Sequence, residues 1–199
     1  YSDELSSLCA DIAGMRIDYI KKLDYWVKVF FEEMMKGKET PKITYESNAK
    51  ENDQESRQSL KNRYLRLLCD NLDKEYKNGA TAYGIHKDDL KIELNGRDAR
   101  FYSSQGQCRT LALAMKMAEG EISREYTGEY PVFLFDDVLS ELDSGRQQYL
   151  MQRLGGRQVI MTSCNESLFA GMDVNMIHVD EGCYEMACPV KNPFAEESE

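Results

Sequence analysis

The chain has 199 residues, 42% of them hydrophobic, and a formal net charge of −10 at pH 7. That length suits one domain, or one domain with an appendage, around a real core. The charge is uneven: residues 1–100 carry 18 Lys/Arg against 19 Asp/Glu, and residues 101–199 carry 7 against 16. Affinity for a phosphate backbone comes from neutralising phosphates, so the acidic second half is excluded as a nucleic-acid-binding surface by itself. No apolar run has membrane length, which predicts a soluble protein with no membrane partner. The six cysteines contain no Cys-x-x-Cys pair, the pattern of reduced thiols in a cytoplasmic protein. Cys183, Cys188 and His178 lack a fourth ligand and a recognisable zinc spacing. The sequence opens at Tyr1, without an initiator Met, directly into a helical pattern. It is therefore expected to be a piece of a longer protein.

Residues 3–36 are predicted as one long helix, with Leu5, Leu8, Ile12, Met15, Tyr19, Leu23, Trp26, Phe30 and Met34 recurring every three or four positions. A polar stretch follows to residue 54, with a short strand at Ile43-Thr44-Tyr45. A second helix is predicted from Glu55 to Lys77, carrying Leu60, Tyr64, Leu67, Leu68, Leu72 and Tyr76 on one face. Its Lys61, Arg63 and Arg66 suit phosphate contacts or a plain solvated face. Two such helices joined by a polar linker would form an arm over residues 1–78.

Leu90 to Tyr102 alternates around Asn95-Gly96, a strong hairpin signal. A polar loop at Ser103–Gln107 precedes a helix to Glu125 that carries Leu111, Leu113, Ala114, Met117 and Ala118. Next come a buried strand at Val132–Asp136, a helix at Ser144–Leu154, a strand at Gln158–Thr162 and a short helix capped by Asn165. A final hairpin is predicted near Glu181-Gly182, then an acidic, disordered tail over 189–199. The helix–strand alternation from 107 to 163 predicts parallel strands in an α/β lobe.

Two motifs carry chemistry. Asp136 and Asp137 end an apolar strand, where ions are costly to bury unless paired or metal-bound. Such a pair suits a Mg²⁺ ligand beside a carboxylate that orients water, and equally suits carboxylates that cap the next loop. Ser104-Gln105-Gly106-Gln107 offers a hydroxyl, a glycine amide and a helix N-terminus, which suit a γ-phosphate. Alone it is also an ordinary polar cap. Order and spacing favour the chemical reading: polar loop, helix, carboxylate strand, Ser140-Glu141-Leu142-Asp143, helix and strand follow one another as in an ABC-type ATPase head. The phosphate loop, Gly-x-x-x-x-Gly-Lys-Ser/Thr, is absent from these 199 residues. The expected fold is therefore α/β, an incomplete ABC-type ATPase head (the C-terminal part of a P-loop NTPase fold) spanning 79–188, with a helical arm.

Three blocks narrow the resemblance. Gly79-Ala80-Thr81-Ala82-Tyr83-Gly84-Ile85-His86-Lys87-Asp88-Asp89-Leu90 is similar to the Gly-x-Thr-x-x-Gly-Pro-His-Arg-Asp-Asp-Leu block of the bacterial RecF family. Ser104-Gln105-Gly106-Gln107-Cys108-Arg109-Thr110 resembles that family's Ser-Gln-Gly-Gln-Gln-Arg-Thr. Leu134-Phe135-Asp136-Asp137-Val138-Leu139-Ser140-Glu141-Leu142-Asp143 resembles its Walker B strand and D-loop, and Tyr1 to Leu23 its arm helix. The likeness runs from Tyr1 to about Gly182.

The resemblance implies a cytoplasmic DNA repair and replication ATPase related to the SMC and Rad50 heads. Such a protein would dimerise on ATP, bind DNA at gaps or single-strand/double-strand junctions, and act with RecO and RecR to load RecA. Ser104, Gln105, Gly106 and Gln107 would then meet a nucleotide held by the partner subunit. Asp136 would serve Mg²⁺, Asp137 the attacking water, Ser163 the switch position, and Asp143 the D-loop contact across the dimer. Asp137 stands where these heads usually have Glu, and Ser163 where many have His, which predicts slow hydrolysis. Ile85, Lys87 and Cys108 replace the family's Pro, Arg and Gln, and Lys cannot copy a bidentate Arg contact. Without the phosphate loop the chain is expected to bind ATP weakly or not at all, and to cover its sheet edge by self-association. Two other readings stand beside this one: an SMC, RecN or Rad50 head, disfavoured by the short arm, and a non-catalytic interaction module on the same scaffold.

Overall fold

In a computed structural model, residues 1–49, 56–169, 172 and 174–186 are described. The predicted helix start at Glu55, Cys188 and the tail over 189–199 lie outside them. The described residues fall into two compact units. One comprises Tyr1–Phe133 with Leu142–Val159, the other Leu134–Glu141 with residues from Ile160 onward.

The first unit is organised around α1 (Ser2–Met35). Asp3 and Glu4 sit in its first turn, where carboxylates suit the helix dipole. It stops at Lys36, which turns left-handed at φ 56°, and Gly37 follows at φ 69°. The buried stripe departs from the predicted one in the first half of the helix. Cys9, Ala10, Ala13, Ile17 and Ile20 are buried, whereas Leu8 (59% exposed) and Met15 (72%) face outward. Small side chains let neighbouring elements approach closely, and a periodicity read from large apolar residues overlooks them. From Leu23 on, Val27, Phe30, Phe31 and Met34 are buried, and the predicted positions Leu23, Phe30 and Met34 belong to that seam.

A strand and several helices pack on α1. Strand β1 (Pro41–Glu46) pairs antiparallel with β2 (Asp89–Leu94), Ile43 opposite Ile92. Helix α2 (Arg57–Asp70) starts at Ser56, whose hydroxyl accepts from the Ser59 N–H at 3.1 Å. It buries Leu60, Tyr64 and Leu68. The predicted single helix is broken at Asn71, whose side-chain amide donates to the Leu67 carbonyl at 2.8 Å. The short α3 (Leu72–Asn78) leaves Leu72 and Tyr76 exposed. The Asn95-Gly96 turn forms as predicted, both residues at positive φ, but β3 is only Arg97–Asp98. Asp98 then accepts from the Arg100 N–H at 2.8 Å and starts the one-turn helix α4 (Ala99–Tyr102), so the predicted strand ends early.

Helix α5 (Gln105–Thr127) runs antiparallel to α1: its Glu125 meets Lys22 at 2.7 Å and the Trp26 indole at 2.9 Å. Leu111, Leu113, Ala114, Met117, Ala118 and Ile122 form its buried face. At Gly120 an added Cβ would lie 2.3 Å from the Phe133 ring, so the absence of a side chain there sets the packing. Helix α6 (Ser144–Leu154) is tied to α1 by Arg153, whose guanidinium donates to Glu33 at 2.6 Å. A buried pair, Glu121–Arg157 at 2.8 Å, has Tyr130 donating to both Glu121 oxygens at 3.1 and 3.0 Å. Both members are over nine-tenths buried and share the Tyr130 hydroxyl, while Arg157 Nη1 is buried with no hydrogen-bond partner among the described residues.

Strands β4 (Phe133–Asp136) and β5 (Val159–Thr162) pair with one another. β4 is not the fully buried strand predicted: Phe133 and Phe135 are buried, but Leu134 is 71% exposed. Successive side chains point to opposite faces, and only one face of this strand is covered among the described residues. In the second unit, β6 (Ile177–Asp180) and β7 (Cys183–Met186) form the predicted hairpin around Glu181-Gly182.

Candidate nucleotide site

The Ser104–Gln107 segment is not a loop but the first turn of α5. Ser104 is its N-cap: its hydroxyl accepts from the Gln107 N–H at 3.3 Å. The Gln107 side-chain oxygen, Oε1, accepts from the Ser104 N–H at 2.6 Å, completing a capping box. Thr110 donates to the Gly106 carbonyl at 2.8 Å. The Gln107 amide nitrogen donates to Glu39, a residue with no sequence signature. The amides of Gln105 and Gly106 lie in the first turn, where no intrahelical acceptor exists. Among the described residues nothing requires Gly106: its φ is not positive, and an added Cβ would meet only Arg146, at 3.9 Å. A glycine in a helix costs about 0.5–1 kcal/mol against alanine.

In the same unit Asp143 caps α6, accepting from the Arg146 N–H at 3.0 Å. The Arg146 guanidinium lies 3.4 Å from Asp143 and donates to the Met35 sulfur at 3.1 Å. Arg146 thus touches Asp143 and the end of α1, a convergence invisible in sequence.

The Gly79–Leu90 block serves to anchor this unit. Asp88 has a side chain only 2% exposed. It accepts from the Tyr45 hydroxyl, and from the Tyr64 hydroxyl at 3.3 Å. Arg16 lies 3.9 Å from Asp88 and donates to the Ile85 carbonyl at 2.7 Å. Burial pushes the Tyr64 phenol up to about 12, and burial followed by the hydrogen bond to Asp88 raises that of Tyr45. His86 Nε2 lies 3.1 Å from the Thr81 carbonyl.

In the second unit, the strand end is organised by Thr162, which sequence reasoning did not single out. Its hydroxyl donates to Asp136 Oδ1 at 2.6 Å and accepts from the Asp137 N–H at 3.0 Å. Asp137 is left-handed at φ 47°, a conformation Asp tolerates better than most residues. Ser140 donates to Asp137 Oδ2 at 2.9 Å. Asp137 Oδ1 is buried with no hydrogen-bond partner among the described residues. Ser163 sits in a turn with Asn165, whose N–H donates to its hydroxyl at 3.2 Å.

No group of three or more His, Cys, Asp and Glu suited to a metal occurs among the described residues. Mg²⁺ asks less, because it uses one or two carboxylates and completes its shell with water and phosphate oxygens. The exposed Asp136 carboxylate and the orphaned Asp137 oxygen fit that demand. Among the described residues no helix is long and apolar enough to cross a membrane.

This arrangement defines part of an ABC-type ATPase head, an α/β fold. The chain superposes on a solved structure of the recombination mediator protein RecF-ATP in the RecFOR pathway with a TM-score of 0.81, at 33% identity over 94% of this chain and 49% of that one. A second, of RecF-ATPrS, gives 0.80 at 32% identity, with the same coverage. Proteins named DNA replication and repair protein RecF match in sequence too. That of Clostridium acetobutylicum is 35% identical over 185 residues, 92% of this chain and 50% of its own length. That of Thermoanaerobacter pseudethanolicus is 38% identical over 171 residues, 86% and 47% of the two chains. No protein-family model matches. The chain belongs to the RecF family, and it spans about half the length of the curated relatives it matches.

Proposed function

We propose that the full-length protein is a DNA repair and replication ATPase of the RecF type. It dimerises on ATP, binds DNA at gaps or single-strand/double-strand junctions, and works with RecR and RecO in loading RecA. The observation that carries this reading is the turn at Ser104–Gln107, a capped helix start with a glycine that nothing among the described residues requires. In a dimer, the Ser104 hydroxyl and the Gln105 and Gly106 amides bind the γ-phosphate of a nucleotide held by the partner subunit. Gln107 holds that turn, and Asp143 supplies the D-loop contact across the dimer.

At the strand end, Asp136, oriented by the Thr162 hydroxyl, would hold Mg²⁺. Mg²⁺ supplies charge neutralisation on the phosphate oxygens when bound. Asp137 orients the attacking water and draws on its proton. Its backbone is held by Thr162 and one carboxylate oxygen by Ser140, so the other oxygen is the one aimed at chemistry. Ser163 offers a hydroxyl at the switch position. The helical arm spans residues 1–78 and the head part residues 79–188. These 199 residues alone are inactive, because the phosphate loop that grips ATP is not among them.

Steady-state ATP hydrolysis by the full-length protein, with and without gapped DNA, tests the reading. DNA-stimulated turnover that accompanies ATP-dependent dimerisation supports it. ATP binding with neither dimerisation nor turnover would replace it with a non-catalytic module.

A further inference from the structure

The geometry points to Glu39 as the positioning residue of the phosphate-binding turn, an inference that rests on the function proposed above. The Gln107 side chain has two ends, and they face different partners. Its nitrogen donates to Glu39 and its oxygen accepts from the Ser104 N–H. A carboxylate only accepts, so an ionised Glu39 compels the amide nitrogen to face it. The amide oxygen is thereby left toward the Ser104 N–H, the orientation that closes the capping box. A neutral or absent side chain at residue 39 would allow the amide to turn over and present its NH2 to the Ser104 N–H, donor against donor.

Glu39 is itself held in place by its successor. The Thr40 N–H donates to Asn95 Oδ1 at 2.9 Å, the Thr40 hydroxyl to Glu32 at 3.1 Å, and the Thr40 carbonyl accepts from the Asn95 N–H at 3.0 Å. The carboxylate is therefore presented from a backbone fixed by the α1 terminus and the Asn95-Gly96 turn, as a preorganised site demands. Its second oxygen, Oε2, is buried with no partner among the described residues. A buried acceptor without a partner is destabilising. Glu39 therefore breaks the rule that stability alone would impose, as residues at working sites do.

The test uses the full-length protein as wild type, Glu39→Ala, Gln107→Ala and the double variant. Three quantities are read: amide exchange at Ser104, ATP affinity of the monomer, and ATP-dependent dimerisation. Glu39→Ala is expected to speed Ser104 exchange and weaken dimerisation, each by about tenfold, the cost of one charge-assisted hydrogen bond. ATP affinity of the monomer stays unchanged. The double variant is no worse than Gln107→Ala, since Glu39 acts through Gln107. Glu39→Gln, the shape-conserving variant, moves the same quantities in the same direction while melting no earlier than wild type. Unchanged Ser104 exchange in Glu39→Ala, or effects that add in the double variant, would overturn the inference. A wild type that does not dimerise on ATP sinks the nucleotide reading, and Ser104 exchange with its non-additivity then decides the role of Glu39 by itself.

Discussion

The start of α5 and the end of β4 carry the two halves of the proposed chemistry, and they are finished to different degrees. At α5 the turn is closed by its own residues: Ser104 and Gln107 satisfy each other, and Thr110 and Glu39 hold the flanks. At β4 Thr162 and Ser140 hold Asp136 and Asp137, yet Asp137 itself keeps a left-handed backbone and a buried oxygen with no partner among the described residues. On the α5 side the unpartnered oxygen belongs instead to Glu39, which supports the turn rather than forming it. A site that receives an already assembled phosphate needs only fixed donors. A site that handles a cation and a water must keep an acceptor open, and it bears the cost in the absence of both.

This contrast is broken first by removing the open acceptor. Asp137→Asn keeps a residue that tolerates φ 47°, so the backbone survives while the carboxylate is lost. ATP turnover of the full-length protein is expected to fall about 100-fold or more, with ATP binding retained. A drop in binding of the same size would make Asp137 a ligand rather than a base. The α5 side is tested by Gly106→Ala, where stability and function should move in opposite directions. The Cβ has room within the chain, so the protein gains about 0.5–1 kcal/mol in thermal or urea unfolding. ATP-dependent dimerisation weakens on the order of tenfold, comparable to losing one hydrogen bond to a charged group.

Gly120→Ala gives the structural reference for both. Its Cβ would collide with the Phe133 ring, and a loss of about 1–3 kcal/mol is expected, with dimerisation affected only as stability falls. The smallest effect is one of pH. The Tyr64 phenol is raised from 10.0 to about 12, so between those values the unfolded chain has lost a proton that the folded chain retains. Stability is therefore insensitive to Tyr64 below pH 10 and falls as pH rises toward 12. Tyr64→Phe should flatten that alkaline decline in urea titrations, and an unchanged slope would mean that Tyr45 and other groups carry it.

Much of the helical framework was legible because periodicity and caps are local. Ser104 offers a polar cap ahead of an amphipathic run, though its capping box with Gln107 is seen only in the structure, and Asn95-Gly96 announces a turn. The failures were local signals with a tertiary rival. In α1 the large residues Leu8 and Met15 drew the stripe to one face, while packing used Cys9, Ala10 and Ala13 on another. Asn71 broke a helix that the spacing of Leu72 and Tyr76 seemed to continue. Asp98 turned a predicted strand into a helical turn by capping it.

The sequence alone carried the order of the main elements, the proposed phosphate turn and carboxylate pair, and the likeness to the RecF family. These are properties of residues near one another along the chain. Only the tertiary structure brought Glu39 to Gln107, Arg146 to Met35 and Asp143, Thr162 to Asp136, and Tyr45, Tyr64 and Arg16 to Asp88. Most of those partners are more than twenty residues apart, and which polar group satisfies which is decided by packing. Hydrogen bonds have direction and short reach, so no spacing rule along the chain encodes them.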